Sequence, residues 1–285
     1  SESNGVSFFP DTQIEDPSII TPVRRLGWCM GLLTATDVSG NVDSCMATVL
    51  VLDTISPMAM CKNITIYLDT MGMVSIDSSD VDGGSTDNCE IATIAISQSA
   101  FDCSMTGPNT VTVTVTDVSG NASVCTSIVT VLDTINPTAI CKNATIYLDA
   151  TGNATVSPAM INDGSSDACG IDTMFVTPNT FGCADIGRVT ATLTVIDVNG
   201  NISTDNARVT VSDSVAPVAI CQDITVQLDA AGNVTIAEDA VNNGSTDACG
   251  SLTYDTDITA FDCTNVGANI VMLTATDVNG NEAKL

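Results

Sequence analysis

The chain has 285 residues, with 34 acidic against seven basic side chains, no histidine and a formal charge of −27. That balance excludes nucleic acid as a natural partner by repulsion. The absence of histidine, of a glycine-rich phosphate loop and of a cysteine paired with a base argues against an enzyme. With no apolar run of 18 residues and no charged-then-apolar leader, neither a membrane span nor a signal peptide is expected in the sequence.

Along the chain, an Asp-Val-Ser/Asn-Gly-Asn loop stands at residues 37–41, 117–121, 197–201 and 277–281, an interval of 80 each time. Cys61, Cys141 and Cys221 keep this period, as do Cys89, Cys169 and Cys249; Cys103, Cys183 and Cys263; Phe101, Phe181 and Phe261; and Asp53, Asp133 and Asp213. The period divides the chain into a partial N-terminal domain at 1–53, repeats at 54–133 and 134–213, and a repeat at 214–285 lacking its last strand. Within the first complete repeat, strands are predicted at 63–68, at 73–76 across an Asp-x-x-Gly turn, and at 91–96. A further strand is predicted at 110–116, where Val111, Val113 and Val115 alternate with threonines, and the last at 124–132. Such alternation buries one face of an antiparallel sheet. No segment shows a 3.6-residue period, so the chain is read as all-β: tandem immunoglobulin-like sandwiches forming a linear rod.

A repeat of 80 residues in a chain with 4% aromatic residues builds a marginal core, and twelve cysteines are available as staples. The 14-residue spacing predicts local bridges Cys89–Cys103, Cys169–Cys183 and Cys249–Cys263, while Cys61–Cys125 would join the first and last strands. Loop closure gives roughly 3 kcal/mol for the short loops and roughly 4 for the long one. Reduced thiols or a zinc site are the alternative, although no Cys-x-x-Cys occurs. Disulfides imply an extracellular location, secreted or at the cell surface. Seven Asn-x-Ser/Thr sequons permit glycosylation without indicating it.

Residues 116–125, together with Cys61 and the Asp87-Asn88 pair, resemble the hyalin repeat and related bacterial immunoglobulin-like repeats over about residues 54–285. The resemblance implies adhesion or scaffolding rather than catalysis. Asp205 and Leu285 depart from it, standing where the first complete repeat has Cys125.

If strands alternate up and down, three acidic clusters form: Asp53 with Asp82, Asp87 and Asp117; Asp133 with Asp163, Asp167 and Asp197; and Asp213 with Asp247, Asp277 and Asn243. Carboxylates with amide or main-chain carbonyls suit calcium, which takes six to eight oxygens. Calcium would then stiffen linkers already restricted by Pro57, Pro137 and Pro217. The competing reading makes these aspartates turn caps.

Residues 32–53 match the last two strands and exit of a repeat, whereas residues 1–31 do not match 81–111. At the other end, Leu285 falls near the expected start of a last strand. Donor-strand complementation answers both: a strand from one copy fills the sandwich of the next, giving a head-to-tail homopolymer. Candidate donors are residues 6–9, 19–23 or 45–52. A Cys45–Cys221 bond between copies would reproduce the Cys61–Cys125 clamp, leaving Cys29 and Cys141 without assigned partners. The expected function is a structural subunit of an extracellular fibre or adhesin stalk. The alternative is a monomeric tandem module binding a glycan or host protein, its ligand not readable from the sequence.

Overall fold

The computed structural model describes residues 27–285; of residues 27–35 and 47–49 it describes the backbone alone. The donor candidates at 6–9 and 19–23 therefore lie outside the described residues, as does the side chain of Cys29. The fold is all-β, its α-helices limited to single turns, and the chain divides into two compact units.

Of the described residues, the first unit holds 27–66 and 74–132. Its strands are β1 (Gly27–Thr36), β2 (Val42–Val51), β3 (Ile64–Tyr67), β4 (Met73–Ser75), β5 (Ile91–Ile96), β6 (Ala100–Asp102), β7 (Gly107–Asp117) and β8 (Ala122–Leu132). One helical turn, α1 (Ser78–Val81), follows β4. β1 and β2 form a hairpin by themselves, with Cys45 opposite Leu33. A four-stranded sheet has the order β3-β8-β7-β5, and β4 pairs with β6. The valine–threonine alternation explains β7: Val111, Val113 and Val115 are fully buried, as are Val129 and Val131 on β8. Burying each valine is worth about 1.5–3 kcal/mol. β6 and α1 were not legible because three or four residues are too few to show a period.

The second unit holds residues 67–73 and 133–285. Its strands continue as β9 (Ala144–Tyr147), β10 (Asn153–Thr155), β11 (Ile171–Thr177), β12 (Thr180–Gly182), β13 (Gly187–Asp197) and β14 (Ile202–Ser212). After them come β15 (Asn233–Thr235), β16 (Thr253–Thr256), β17 (Ala260–Asp262), β18 (Leu273–Thr276) and β19 (Glu282–Lys284). The helical turn α2 (Pro158–Ile161) sits after β10. β14 lies between β13, antiparallel, and β9, parallel, and buries Ala207, Val209 and Val211 against Leu193, Val195, Ile146 and Phe181.

Residues 214–285 depart from this arrangement in one respect. The last strand begins as β19 and reaches Leu285, which exchanges backbone hydrogen bonds with Leu273 at 2.9 and 3.0 Å. Further along, no strand among the described residues occupies the place that Ala207, Val209 and Val211 fill on β14. β18 has four residues where β7 and β13 have eleven, and residues 224–227 form no strand where β9 does. Core positions open accordingly: Leu228, Phe261 and Val271 are partly exposed, whereas Leu148, Phe181 and Ala191 are buried.

Aspartates hold many of the turns. The Asp77 carboxylate caps α1 by accepting from the Ser79 amide at 2.8 Å, and Asp80 returns a bond to the Asp77 amide at 2.8 Å. Hydrogen bonds from the Ser79 side chain and then its amide hold Asp77 below the ordinary carboxylate range. Ser85, Ser104 and Thr264 hydroxyls lead the same effect at Asp82, Asp102 and Asp262. A group depressed in the folded state contributes stability above its unfolded pKa and loses it as pH falls through the folded value. The melting temperature in EDTA is therefore expected to hold down to about pH 4 and to fall below it. Thermal melts followed by circular dichroism would refute this if stability were flat or rising across that acid range.

Candidate metal centre and disulfide framework

The sites begin with the glycine-containing loops. In residues 117–121, Asp117 Oδ1 accepts from the Ser119 and Asn121 amides at 2.9 and 2.8 Å, and Oδ2 accepts from Asn121 Nδ2 at 2.8 Å. Gly120 makes the turn possible at φ 93°. Asn121 Nδ2 also donates to the main-chain carbonyl of Asp53 at 3.1 Å, 68 residues away. Asn201 and Asn281 reach the carbonyls of Asp133 and Asp213 in the same way, at 3.3 and 3.5 Å. The loop thus fixes the aspartate that begins each following segment.

That aspartate faces a second acidic loop. Asp53 with Asp87, Asp133 with Asp167, and Asp213 with Asp247 each bring carboxylate oxygens within 4.8 Å of one another, joined by the sulfurs of Cys89, Cys169 and Cys249 respectively. One oxygen of each junction aspartate is occupied: Oδ1 of Asp53, Asp133 and Asp213 accepts from the amides of Ile55, Ile135 and Val215 at 3.0–3.1 Å. Asp87, Asp167 and Asp247 likewise accept from the amides of Cys89, Cys169 and Cys249. The other oxygens of Asp53, Asp87, Asp133 and Asp213 are buried without a hydrogen-bond partner. No cationic side chain answers them: among the described residues the one ion pair joins Lys284 to Glu282. A buried unpartnered carboxylate oxygen is costly unless a cation is present. Cys169 is disulfide-bonded and so is Cys249, leaving hard oxygen donors common to all three sites. That donor set fits calcium rather than a thiophilic metal.

The predicted clusters are corrected in part. Asp117, Asp197 and Asp277 are buried, but their carboxylates close their own turns. Asp82 accepts from the amide and hydroxyl of Ser85 at 3.0 and 2.5 Å, a role taken by Asn162 and Asn242 one and two periods on. Asp163 stands one position later, at the place of Gly83, with its amide bonded to Ile140 O at 2.9 Å. The carboxylates of Asp82, Asp117, Asp197 and Asp277 are thus engaged in turns, and the pairs that come within 4.8 Å are the junction aspartate and the aspartate two before the cysteine.

The cysteine pairing differs from the local one. Cys61 is bonded to Cys125, with Cα atoms 5.9 Å apart. Cys183 is bonded to Cys249, 66 residues away, with Cα atoms 5.1 Å apart. Cys103 and Cys169 are both disulfide-bonded, whereas Cys45, Cys89, Cys141, Cys221 and Cys263 are free. Bridges Cys89–Cys103, Cys169–Cys183 and Cys249–Cys263 are thus not formed. The reason is strand length: β11 intervenes between Cys169 and Cys183, and seven extended residues carry the chain about 23 Å before the three-residue β12 begins to return. Burial and then the Asp205 carboxylate raise the pKa of the Cys141 thiol, and the Cys141 amide donates to Asp205 Oδ2 at 2.7 Å. A hydrogen bond thus stands where Cys61 and Cys125 make a covalent bond. The thiol of Cys89 is raised first by its hydrogen bond to Asp53, then by burial and by the charges of Asp53, Asp87 and Asp117. At the sequons of Asn63 and Asn143, the Oδ1 atoms accept from the Ile128 and Arg208 amides.

Residues 214–285 carry a groove of about 830 Å³ lined by Cys221, Ile224, Val226, Leu228, Phe261 and Val271, among others. No helix of the described residues is long and apolar enough to cross a membrane.

No family model matches the sequence, and neither does any curated protein. Among solved structures, the chain is similar to the extracellular cadherin domains 1–4 of protocadherin gamma B7, at 11% identity over 90% of this chain and 82% of that one, with a TM-score of 0.33. It is also similar to the EC3-6 cis-dimer structure of protocadherin gammaB7, at 14% identity over 98% and 91% with a TM-score of 0.31. A third is human mucin-like protocadherin EC1-2, at 11% identity over 55% and 98% with a TM-score of 0.32. No residue role is carried over from these chains.

Proposed function

We propose that this protein is a structural subunit of an extracellular fibre or adhesin stalk, built of immunoglobulin-like sandwiches on an 80-residue repeat, that joins copies head to tail by donor-strand complementation. The observation that carries the reading is the uncovered groove of residues 214–285. A segment that fits this groove is present in the same chain: Ala47, Val49 and Val51 correspond in sequence to Ser127, Val129 and Val131 and to Ala207, Val209 and Val211, which are buried on β8 and β14. In the register of β14, Val49 and Val51 would lie beside Ile224 and Val226, and Ala47 opposite Val271. The Thr48 amide would face Asp223, as the Ile128 and Arg208 amides face Asn63 and Asn143. β1 covers on β2 the edge that residues 267–272 would take, so assembly exchanges one antiparallel partner for another.

Leu285 stands beside Cys221, whose sulfur lies 3.8 Å from Leu285 O. A Cys45–Cys221 bond would require Leu285 to leave. The register needing no displacement starts the donor at Met46, directly after Leu285 of the acceptor. Calcium at the three carboxylate pairs would hold successive segments in a fixed setting, in keeping with an oxidising extracellular location.

Val51 is 63% exposed, so Val51→Asp should leave the monomer stable while placing a charge in the acceptor core. Wild-type protein is expected to form filaments in negative-stain electron microscopy, and Val51→Asp to remain monomeric in size-exclusion chromatography. Filaments from Val51→Asp, or a wild-type protein that stays monomeric at high concentration, would overturn the reading and favour a monomeric binding module.

A further inference from the structure

The disulfide between Cys183 and Cys249 joins two positions 66 residues apart in sequence. One period earlier the same two positions are Cys103 and Cys169, and both are disulfide-bonded. Two further cysteines stand at these positions of the period: Cys263, one period after Cys183, and Cys89, one period before Cys169. Both are free and exposed. They are complementary halves, since Cys263 is of the Cys183 type and Cys89 of the Cys249 type.

The local structure around each half matches its bonded counterpart. Cys183 Sγ lies 3.7 Å from Gly152 O, and Cys263 Sγ lies 3.8 Å from Gly232 O. Gly152 provides the room for the bridge: a Cβ there would stand 2.6 Å from Cys183 Sγ and 3.3 Å from Cys249 Sγ. Gly232, at φ 84°, keeps the same clearance, its hypothetical Cβ falling 2.8 Å from Cys263 Sγ. On the other half, the Cys89 amide donates to Asp87 at 2.9 Å as the Cys249 amide donates to Asp247 at 2.6 Å. Cys89 also has Asp53 where Cys249 has Asp213.

We infer that Cys263 of one copy and Cys89 of the next form an intermolecular disulfide with the geometry of Cys183–Cys249, making the head-to-tail contact covalent. The inference rests on the donor-strand reading, because a β2 seated in the groove is followed in its own chain by the segment carrying Cys89, as β14 is followed by the segment carrying Cys249. The chemistry is thiol–disulfide exchange with a small disulfide such as oxidised glutathione. The two thiols lose two protons and two electrons to form one S–S bond, and the oxidant's S–S bond breaks to give two thiols.

The test uses the full chain incubated with a glutathione redox buffer, followed by non-reducing electrophoresis, peptide mapping and electron microscopy in parallel. A ladder of multimers that dithiothreitol collapses, with a Cys89–Cys263 linked peptide, is expected. Cys89→Ser mixed with Cys263→Ser should yield covalent dimers and nothing longer, because each variant keeps one half; each variant alone should give no Cys89–Cys263 linkage. Filaments in which both cysteines stay fully alkylatable would overturn the bond while leaving the donor-strand reading intact. Absence of both filaments and ladder would overturn both. A Cys89–Cys263 peptide that persists in Val51→Asp would keep the bond but remove its donor-strand basis.

Discussion

Replacing Cys125 with serine is expected to lower the stability of the first complete repeat by about 4 kcal/mol, the loop-closure value for a bridge spanning some 65 residues. The bond joins positions 64 residues apart, so most of the repeat lies inside the loop it closes. Asp205 makes the converse substitution informative. It occupies the Cys125 position and holds the Cys141 amide at 2.7 Å, beside a free Cys141 thiol. Asp205→Cys should therefore form a new bridge to Cys141. The gain of about 4 kcal/mol is offset by the lost charged hydrogen bond, worth about 1.5–3 kcal/mol, so a net gain of about 1–3 kcal/mol is expected. Hydrogen exchange of the β7–β8 and β13–β14 amides reads the two effects separately. If Cys125→Ser leaves β7–β8 protection unchanged, or if the Asp205→Cys protein retains an alkylatable Cys141, the account of the clamp fails.

Calcium should raise the melting temperature, and EDTA should reverse the effect. The pairs Asp53–Asp87, Asp133–Asp167 and Asp213–Asp247 each offer only two carboxylates, which places affinity in the weak extracellular range of about 10⁻⁴–10⁻³ M. At calcium a hundredfold above that constant, each site would contribute about 2.7 kcal/mol. Asp213→Asn is expected to remove one calcium from the stoichiometry measured by isothermal titration calorimetry. Asp117→Asn should leave the stoichiometry unchanged while destabilising the turn, because both its oxygens are bound to the loop that contains it. Equal loss of calcium from the two variants would return Asp117 to the ligand set. No calcium-dependent shift in melting would remove the metal altogether.

Several aspects of the fold were legible because they depend on neighbours in sequence. The alternation at residues 111–115 specified a half-buried strand, and the glycine of the 117–121 loop specified a turn. The place of the last strand could also be read, since a period-2 segment recurs at 42–52, 122–132 and 202–212. The Cys61–Cys125 bond followed from positions just before the first strand and on the last strand, β3 and β8, which the sheet order places side by side. The periodic aspartates, by contrast, could not be sorted from composition. Asp117 and Asp53 repeat with equal regularity, yet one has its carboxylate bound to its own loop and the other has an oxygen buried without a partner.

What the sequence by itself determined, then, is the longer alternating strands and the glycine-containing turns, because side-chain alternation and glycine conformations act over a few residues. Tertiary structure alone decided which of the other cysteines meet and which carboxylates are left without partners. Cys169 and Cys183 are close in number, but β11 between them is extended, and the sulfur bonded to Cys183 belongs to Cys249. Sequence separation measures chain length, and extended strands convert that length into distance.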